Sequence, residues 1–180
     1  MVSPAPIRIL LVRAVNVGGT GKLPMARFRE VLEELGATEV RTYIASGNAV
    51  ARVPGDASDF ERRVEAALTA EFGWERDVIS RTPEELRAAL AAHPFEVIEP
   101  KRSYLAPLTA KPAAADVRAA ADIPSGADEW DVVGADLHLR YANGAGRADL
   151  DLGRLLRRLG VQGTARNVRT VEKLLALAEE

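Results

Sequence analysis

Apolar and polar positions along the chain change period repeatedly, and each change marks a boundary between elements. Ile7 to Arg13 is a short, nearly continuous apolar run, long enough for a strand and too short for a typical helix. Asn16-Val17-Gly18-Gly19-Thr20-Gly21 interrupts it with turn-forming residues. Pro24 suits the first turn of a helix, and Met25, Phe28, Val31, Leu32 and Leu35 follow at helical spacing up to Gly36. Val40 to Ala45 predicts a strand, Ser46-Gly47-Asn48 a tight turn, and Ala49 to Val53 the returning strand. Ser58-x-x-Glu61 reads as the capping box of a second helix carrying Phe60, Val64, Ala67, Leu68 and Phe72. Val78-Ile79 closes the series in a short strand. The order β-α-β-β-α-β is that of a ferredoxin-like plait.

The pattern then resembles itself. Thr82-Pro83-x-Glu85 opens a capped helix that ends near His93-Pro94. Ser103 to Leu108 predicts a strand, Ala113 to Ala121 a helix, and Trp130 to Val133 with Leu137 to Tyr141 a strand pair. Leu152, Leu155, Leu156 and Leu159 define another helix. A brief extended segment, Val161 to Arg166, precedes a last helix with Val168, Val171, Leu174 and Leu175. The expected fold class is therefore α+β: two ferredoxin-like halves, residues 1–82 and 83–180, the second with an added C-terminal helix. In Ile7-Arg8-Ile9-Leu10-Leu11-Val12 the polar and apolar residues do not alternate cleanly, which predicts burial on both faces. Either the other half or a second copy of the chain, in a homodimer, is expected to cover the face that the helices leave open.

Composition narrows the chemistry. Of 180 residues, 47% are hydrophobic and 28% charged, enough for a packed core, and no apolar run approaches the roughly 20 residues of a membrane span. The absence of cysteine excludes disulfides, Cys-ligated zinc, iron–sulfur clusters and thiol nucleophiles. Met1-Val2-Ser3-Pro4-Ala5-Pro6 has no basic stretch before an apolar core, so a cytoplasmic location is expected. A net charge of −2 argues against a nonspecific nucleic-acid binder. The charge is uneven: residues 54–100 hold 11 acids and 5 bases, residues 140–173 hold 8 bases and 3 acids. Solvated helix faces account for such runs; a local anion site is the sharper reading.

Three clusters carry candidate chemistry. In the first, Arg13 ends a strand and runs into Asn16, Gly18, Gly19 and Lys22, where backbone N–H groups and a guanidinium can meet an anion. It is not a Walker A loop, since Leu23 stands at the magnesium-binding Ser/Thr position and Asn16 at the first glycine. A flexible strand-to-helix loop is its plainer explanation. In the second, Arg41 and Tyr43 share one strand face, followed by Ser46, Gly47 and Asn48, which can also serve only to turn a hairpin. In the third, Thr164, Arg166 and Asn167 precede the final helix. Asn167 suits the N-cap, and a helix N-terminus beside Arg166 favours anions.

At these clusters the chain resembles the bacterial family known as domain of unknown function 1697. Its pattern runs Arg-Gly-Ile/Val-Asn-Val-Gly-Gly, a Lys, a Met-led helix, Arg-Thr-Tyr-x-x-Ser-Gly-Asn, and Thr-x-Arg-Asn-Trp-x-Thr. Here these stand as Arg13 to Gly19, Lys22, Met25, Arg41 to Asn48, and Thr164 to Thr170. Ala14 replaces a glycine of the pattern and Val168 its tryptophan. The resemblance implies two plait-like domains and assigns no activity.

Elsewhere the candidates have plain roles. His93 at a helix end reads as a cap of the last carbonyls, and His138 reads as facing solvent or a domain interface. Two isolated histidines without cysteine predict no metal site, and no cofactor is expected. Asp149 and Asp151 read as helix-start carboxylates, and Asn143 to Gly146 as a turn. The functional expectation is a protein that binds a small phosphorylated or carboxylate ligand in a cleft lined by the Arg, Asn and Gly motifs. If the ligand is transformed, positioning and electrostatics do the work, since no obvious nucleophile is present. The alternatives are a non-catalytic interaction or regulatory protein and, against the charge balance, a nucleic-acid module using Tyr43, Tyr104 and Tyr141 as stacking platforms.

Overall fold

A computed structural model describes residues 4–180, so Met1 to Ser3 of the stretch read for a leader lie outside the described residues. In chain order the elements are β1 Ile7–Val12, α1 Met25–Glu34, β2 Thr38–Thr42, β3 Asn48–Arg52, α2 Ala57–Phe72, β4 Val78–Arg81, α3 Pro83–Ala91 and β5 Ser103–Pro107. They continue with α4 Ala114–Ala120, β6 Glu129–Val133, β7 Asp136–Arg140, α5 Leu152–Leu159, β8 Arg166–Asn167 and α6 Val168–Ala178. The fold is α+β, with two four-stranded antiparallel sheets ordered β2-β3-β1-β4 and β6-β7-β5-β8. Contacts group the chain into two compact units: one is the chain up to Leu86 together with Lys173–Glu180, the other Arg87–Glu172. Both boundaries fall inside helices, α3 and α6.

In the first unit, Leu10 and Val12 of β1, Ala49 and Ala51 of β3 and Val78 of β4 share a core with Phe28, Val31 and Leu32 of α1 and Phe60, Val64 and Leu68 of α2. The helical spacing read from the sequence thus faces the sheet. Ile9, Leu11, Val50 and Ile79, on the opposite face, are buried as well. The failure of β1 to alternate therefore reflects burial on both sides, achieved within a single chain. Leu174 and Leu175 of the same unit are buried, and Leu177 and Ala178 line a depression of about 230 Å³ with Ile7, Arg41, Val50 and Arg52.

Local chemistry moves several boundaries. The second helix starts at Ala57 because Asp56 takes the cap: its carboxylate accepts from the Asp59 N–H at 2.9 Å and from the Ser58 hydroxyl. Glu61, expected to complete the box from Ser58, instead accepts from the N–H and hydroxyl of Ser80 on β4. The box predicted at Thr82 is present: the Glu85 N–H donates to Thr82 Oγ1 and the Thr82 N–H to Glu85. β2 begins and ends earlier than the apolar pattern implied. Its register shifts between Thr38 and Arg41, with Glu39 in the left-handed region, and the chain leaves the ladder after Thr42.

In the second unit, Ala106 and Leu108 pack with Leu137 and Leu139 of β7, Ala120 of α4, and Leu155, Leu156 and Leu159 of α5. Asp128 organises the loop before α5. Only 4% exposed, its carboxylate accepts from the N–H groups of Ala142, Asp149 and Leu150 at 2.7–3.0 Å. Asp151 caps α5 through the Arg154 N–H, and Asn167 caps α6 through the Thr170 N–H.

Candidate functional site

Two of the three clusters meet in the first unit, and one side chain joins them. Asn16 Nδ2 donates to Leu23 O at 2.9 Å and Ala45 O at 2.6 Å, while its Oδ1 accepts from the Leu23 N–H at 2.9 Å. The loop after β1 is thereby closed on itself and tied to the turn between β2 and β3. The Val12 N–H donates to Gly47 O, drawing that turn against the end of β1. Gly47 has φ +75°, and a Cβ there would stand 2.6 Å from Val15 Cγ2, so the tight packing of this turn requires glycine. Gly18 and Gly19, with φ +58° and +78°, form the centre of an exposed primed turn closed by the Thr20 N–H on Val17 O. That turn accounts for the double glycine.

Arg13 and Lys22 flank this loop pair. Arg13 Nε donates to Asp77 at 2.7 Å; its terminal nitrogens have no partner among the described residues. The Lys22 ammonium is exposed and likewise without a partner among the described residues. Arg76 donates to Ala14 O at 3.3 Å and adds a third cation at this end of the unit. Two exposed apolar side chains lie in the same loops, Val17 at 62% and Ile44 at 51% exposure. Ile44 has φ +48°, a conformation that a β-branched residue rarely adopts. Ala14 also lies in the left-handed region, with φ +52°, at the position where the resembling pattern carries glycine.

Other motif residues are held in structural bonds. Asn48 is fully buried and donates to Tyr43 O at 3.1 Å and Ser46 Oγ at 2.9 Å. Arg41 turns away from the loops: its guanidinium donates to Leu177 O at 2.9 Å, near the end of α6, and lies 4.0 Å from Glu180. Tyr43 falls beyond β2, its N–H donating to Asn48 O at 3.1 Å.

The third cluster lies in the second unit. Arg166 donates to Thr164 Oγ1 at 2.5 Å and to Ala165 O at 3.0 Å, and burial pulls its pKa down to about 10, which leaves it charged at neutral pH. Asn167, besides capping α6, is hydrogen-bonded to the Tyr104 side chain. Tyr104 and Tyr141 pack edge to face at 5.1 Å; Tyr141 is 5% exposed, so its ring offers no free face for a base, and Tyr104 is half-buried. Burial pushes the Tyr141 phenol up to about 12.

A protein-family model described as a protein of unknown function, DUF1697, matches residues 7–138, nearly three quarters of the chain. The chain belongs to this family. The first two motif loops lie within the matched stretch; Thr164 to Thr170 lies beyond it. Among solved structures, a conserved bacterial protein from Streptococcus pneumoniae, SP0830, is similar with a TM-score of 0.68 and 18% identity, over 96% of this chain and 98% of that one. At that identity the likeness concerns the fold. No curated protein matches the chain.

The structure also assembles a polar group that the sequence reading divided. His138 on β7 is fully buried, not facing solvent, and His93 packs on it edge to face, ring centroids 4.9 Å apart. His93 does not cap carbonyls: its Nδ1 accepts from the Phe95 N–H at 3.3 Å. Burial lowers the pKa of both imidazoles, that of His93 against backbone hydrogen bonds with Phe95 and Tyr104 that raise it, and that of His138 to about 4, with the neighbouring His93 adding to the effect and Asp131 opposing it. Among the described residues no group of three or more His, Cys, Asp or Glu side chains could hold a metal ion, and no helix is long and apolar enough to cross a membrane.

Proposed function

We propose that this DUF1697 protein binds a small phosphorylated or carboxylate ligand at the loop end of its first unit. The observation that carries the reading is the Asn16 clip, which holds two motif loops together between Arg13 and Lys22, both with unengaged donor nitrogens. Charge-assisted bonds from such groups are the ordinary means of recognising a carboxylate or phosphate. Gly18 and Gly19 line the loop; Asn16, Ser46 and Asn48 hold its shape. Tyr43 belongs to the second motif loop, Arg41 points instead to the end of α6, and Thr164, Arg166 and Asn167 form a second candidate anion contact in the other unit. The reading includes two ferredoxin-like plaits, residues 1–82 and 83–180, and a cytoplasmic protein.

A thermal-shift screen of phosphate, sulfate, nucleotides and phospho-sugars tests it. A ligand at about 100 times its dissociation constant adds about 2.7 kcal/mol to stability. The shift is expected to vanish in Arg13→Ala and in Lys22→Ala; the lysine variant breaks no bond of the folded protein. A shift that survives both substitutions, or no shift with any ligand, overturns the proposal.

One observation favours a second reading, a non-catalytic interaction protein that includes a homodimer among its forms. Val17 and Ile44 expose apolar surface on tied, partly strained loops, as contact residues do. A monomeric solution mass unaffected by Val17→Ser with Ile44→Ser counts against the homodimer.

A further inference from the structure

The second unit buries polar groups without partners. Among the described residues neither ring nitrogen of His138 has a hydrogen-bond partner, and Ser103 Oγ, 1% exposed on the neighbouring β5, has none either. A neutral imidazole always carries one N–H and one lone pair, so burying it unpaired is unfavourable, and burying it as a cation far more so. The register places Leu105 directly opposite His138, so Ser103 lies on the same sheet face. His93 closes over that face from the segment between α3 and β5.

We infer that the His93–His138 contact is an acid-released latch that holds the segment His93–Lys101 onto the second sheet at neutral pH. Two features make protonation incompatible with the closed arrangement. His93 Nδ1 accepts the Phe95 N–H, so the ring must be neutral with its proton on Nε2; a proton added at Nδ1 would face that N–H and abolish the bond. And the rings lie too close for both to be charged inside the fold.

The surrounding charges do not compensate. On β6 the residue opposite His138 is Asp131, which is exposed and accepts its own neighbour's N–H. Asp136, two positions from His138 on the same face of β7, has bonds of its own, and Arg140 is paired with Glu129 of β6. β5 brings Leu105, Ser103 and the Tyr104 backbone, whose hydrogen bond with His93 favours the charged ring but less than burial opposes it, and β8 brings another cation, Arg166, opposite Leu105. Arg87 on α3 has bonds of its own, and Glu99 of the segment itself is occupied by Arg102.

The segment is suited to move. Residues from Glu96 to Lys101 are exposed and their backbone bonds are local, the Ile98 N–H to Glu96 O and the Arg102 N–H to Glu99 O, whereas Arg102 is anchored apart from the histidines, its carbonyl accepting the Tyr141 N–H at 2.9 Å and its guanidinium donating to Ala142 O at 2.7 Å. Phe95 packs on His93 itself, with centroids 5.8 Å apart. Releasing the imidazole therefore releases what is attached to it.

The chain has only two histidines, which makes the test clean. Hydrogen exchange, corrected for intrinsic rates, is compared at about pH 7.5 and about pH 5, bracketing the ordinary histidine pKa. Amides of 93–101 are expected to lose protection by roughly thirtyfold at the lower pH, as linkage to a ring that titrates only when released requires, while β1 and β3 change little. In His93→Phe with His138→Phe, which leaves no imidazole, that loss disappears. Nitrogen-15 histidine NMR of the unaltered chain decides independently of whether the double variant folds. The expected result is an Nε2–H tautomer for His93 and protonation that coincides with loss of the segment's dispersed signals. Rings that titrate at ordinary values while the segment keeps its protection overturn the latch, as does undiminished acid sensitivity in the double variant.

Discussion

Replacing Asn16 separates two contributions that the structure superimposes at one residue. Its side chain makes three hydrogen bonds joining the loop after β1 to the turn before β3, and its backbone sits at φ +53°, a region asparagine tolerates better than alanine. Asn16→Gly removes the bonds and keeps the backbone comfortable. At roughly 0.5–1 kcal/mol per partly exposed bond, the expected cost is about 2 kcal/mol. Asn16→Ala removes the same bonds and adds left-handed strain of roughly 1–2 kcal/mol, offset by the smaller freedom of the unfolded alanine chain, roughly 0.5–1 kcal/mol. Alanine should therefore be worse than glycine by about 1 kcal/mol, a reversal of their usual order. Urea unfolding measures this, with Trp74 as reporter in a Trp130→Phe background, because Trp74 stacks on Phe72 against the first unit's core. A glycine variant as stable as the parent would refute the clip; an alanine variant no worse than glycine would refute the strain.

Three further outcomes follow from the same structure. Ala14→Gly should raise stability by up to about 1 kcal/mol in the same urea assay, since φ +52° strains alanine and not glycine. Asp128→Ala should cost about 3 kcal/mol, because the Leu150 N–H is left buried without an acceptor and two more charge-assisted bonds are lost; Asp128→Asn, which keeps one acceptor oxygen, should cost less, both read by Trp130 fluorescence. Stability should also fall with acid over a defined window. The folded His138 pKa, about 4, lies below the ordinary 6.5, so the unfolded chain binds more protons; stability is full above about pH 6.5 and declines toward pH 4 by about 3 kcal/mol, measured as the urea midpoint against pH. A flat profile there would contradict the burial of the ring.

Elements whose apolar spacing was strong were legible in the sequence. Phe28, Val31 and Leu32 announce the buried face of α1, and the nearly continuous apolar run of β1 announces a strand covered on both sides. Boundaries set by competition between neighbouring polar groups were less so: Asp56 and Ser58 are both good caps, and only the geometry of the preceding turn decides between them. At the candidate site, motif order and residue type were readable, but what each side chain bonds to was not. Arg13 finds Asp77 across 64 positions, and Asn16 finds Ala45 across 29, through contacts that exist only after strands have paired. The histidine pair was hidden for the same reason. His93 and His138 lie 45 positions apart, and neither carries a local signal of the other.

The assignment of Lys173–Glu180 to the first unit has a consequence for the order of events during synthesis. Strand β1 is made before every other element among the described residues, and Leu174, Leu175 and the carbonyl that receives Arg41 belong to residues made more than a hundred positions later. Until they emerge, the first unit is left without the helix turns that complete it. Contacts of such sequence separation are slow to form and leave apolar surface exposed meanwhile. A nascent chain stopped before residue 173 should therefore be held by chaperones, although it already contains every strand of both sheets.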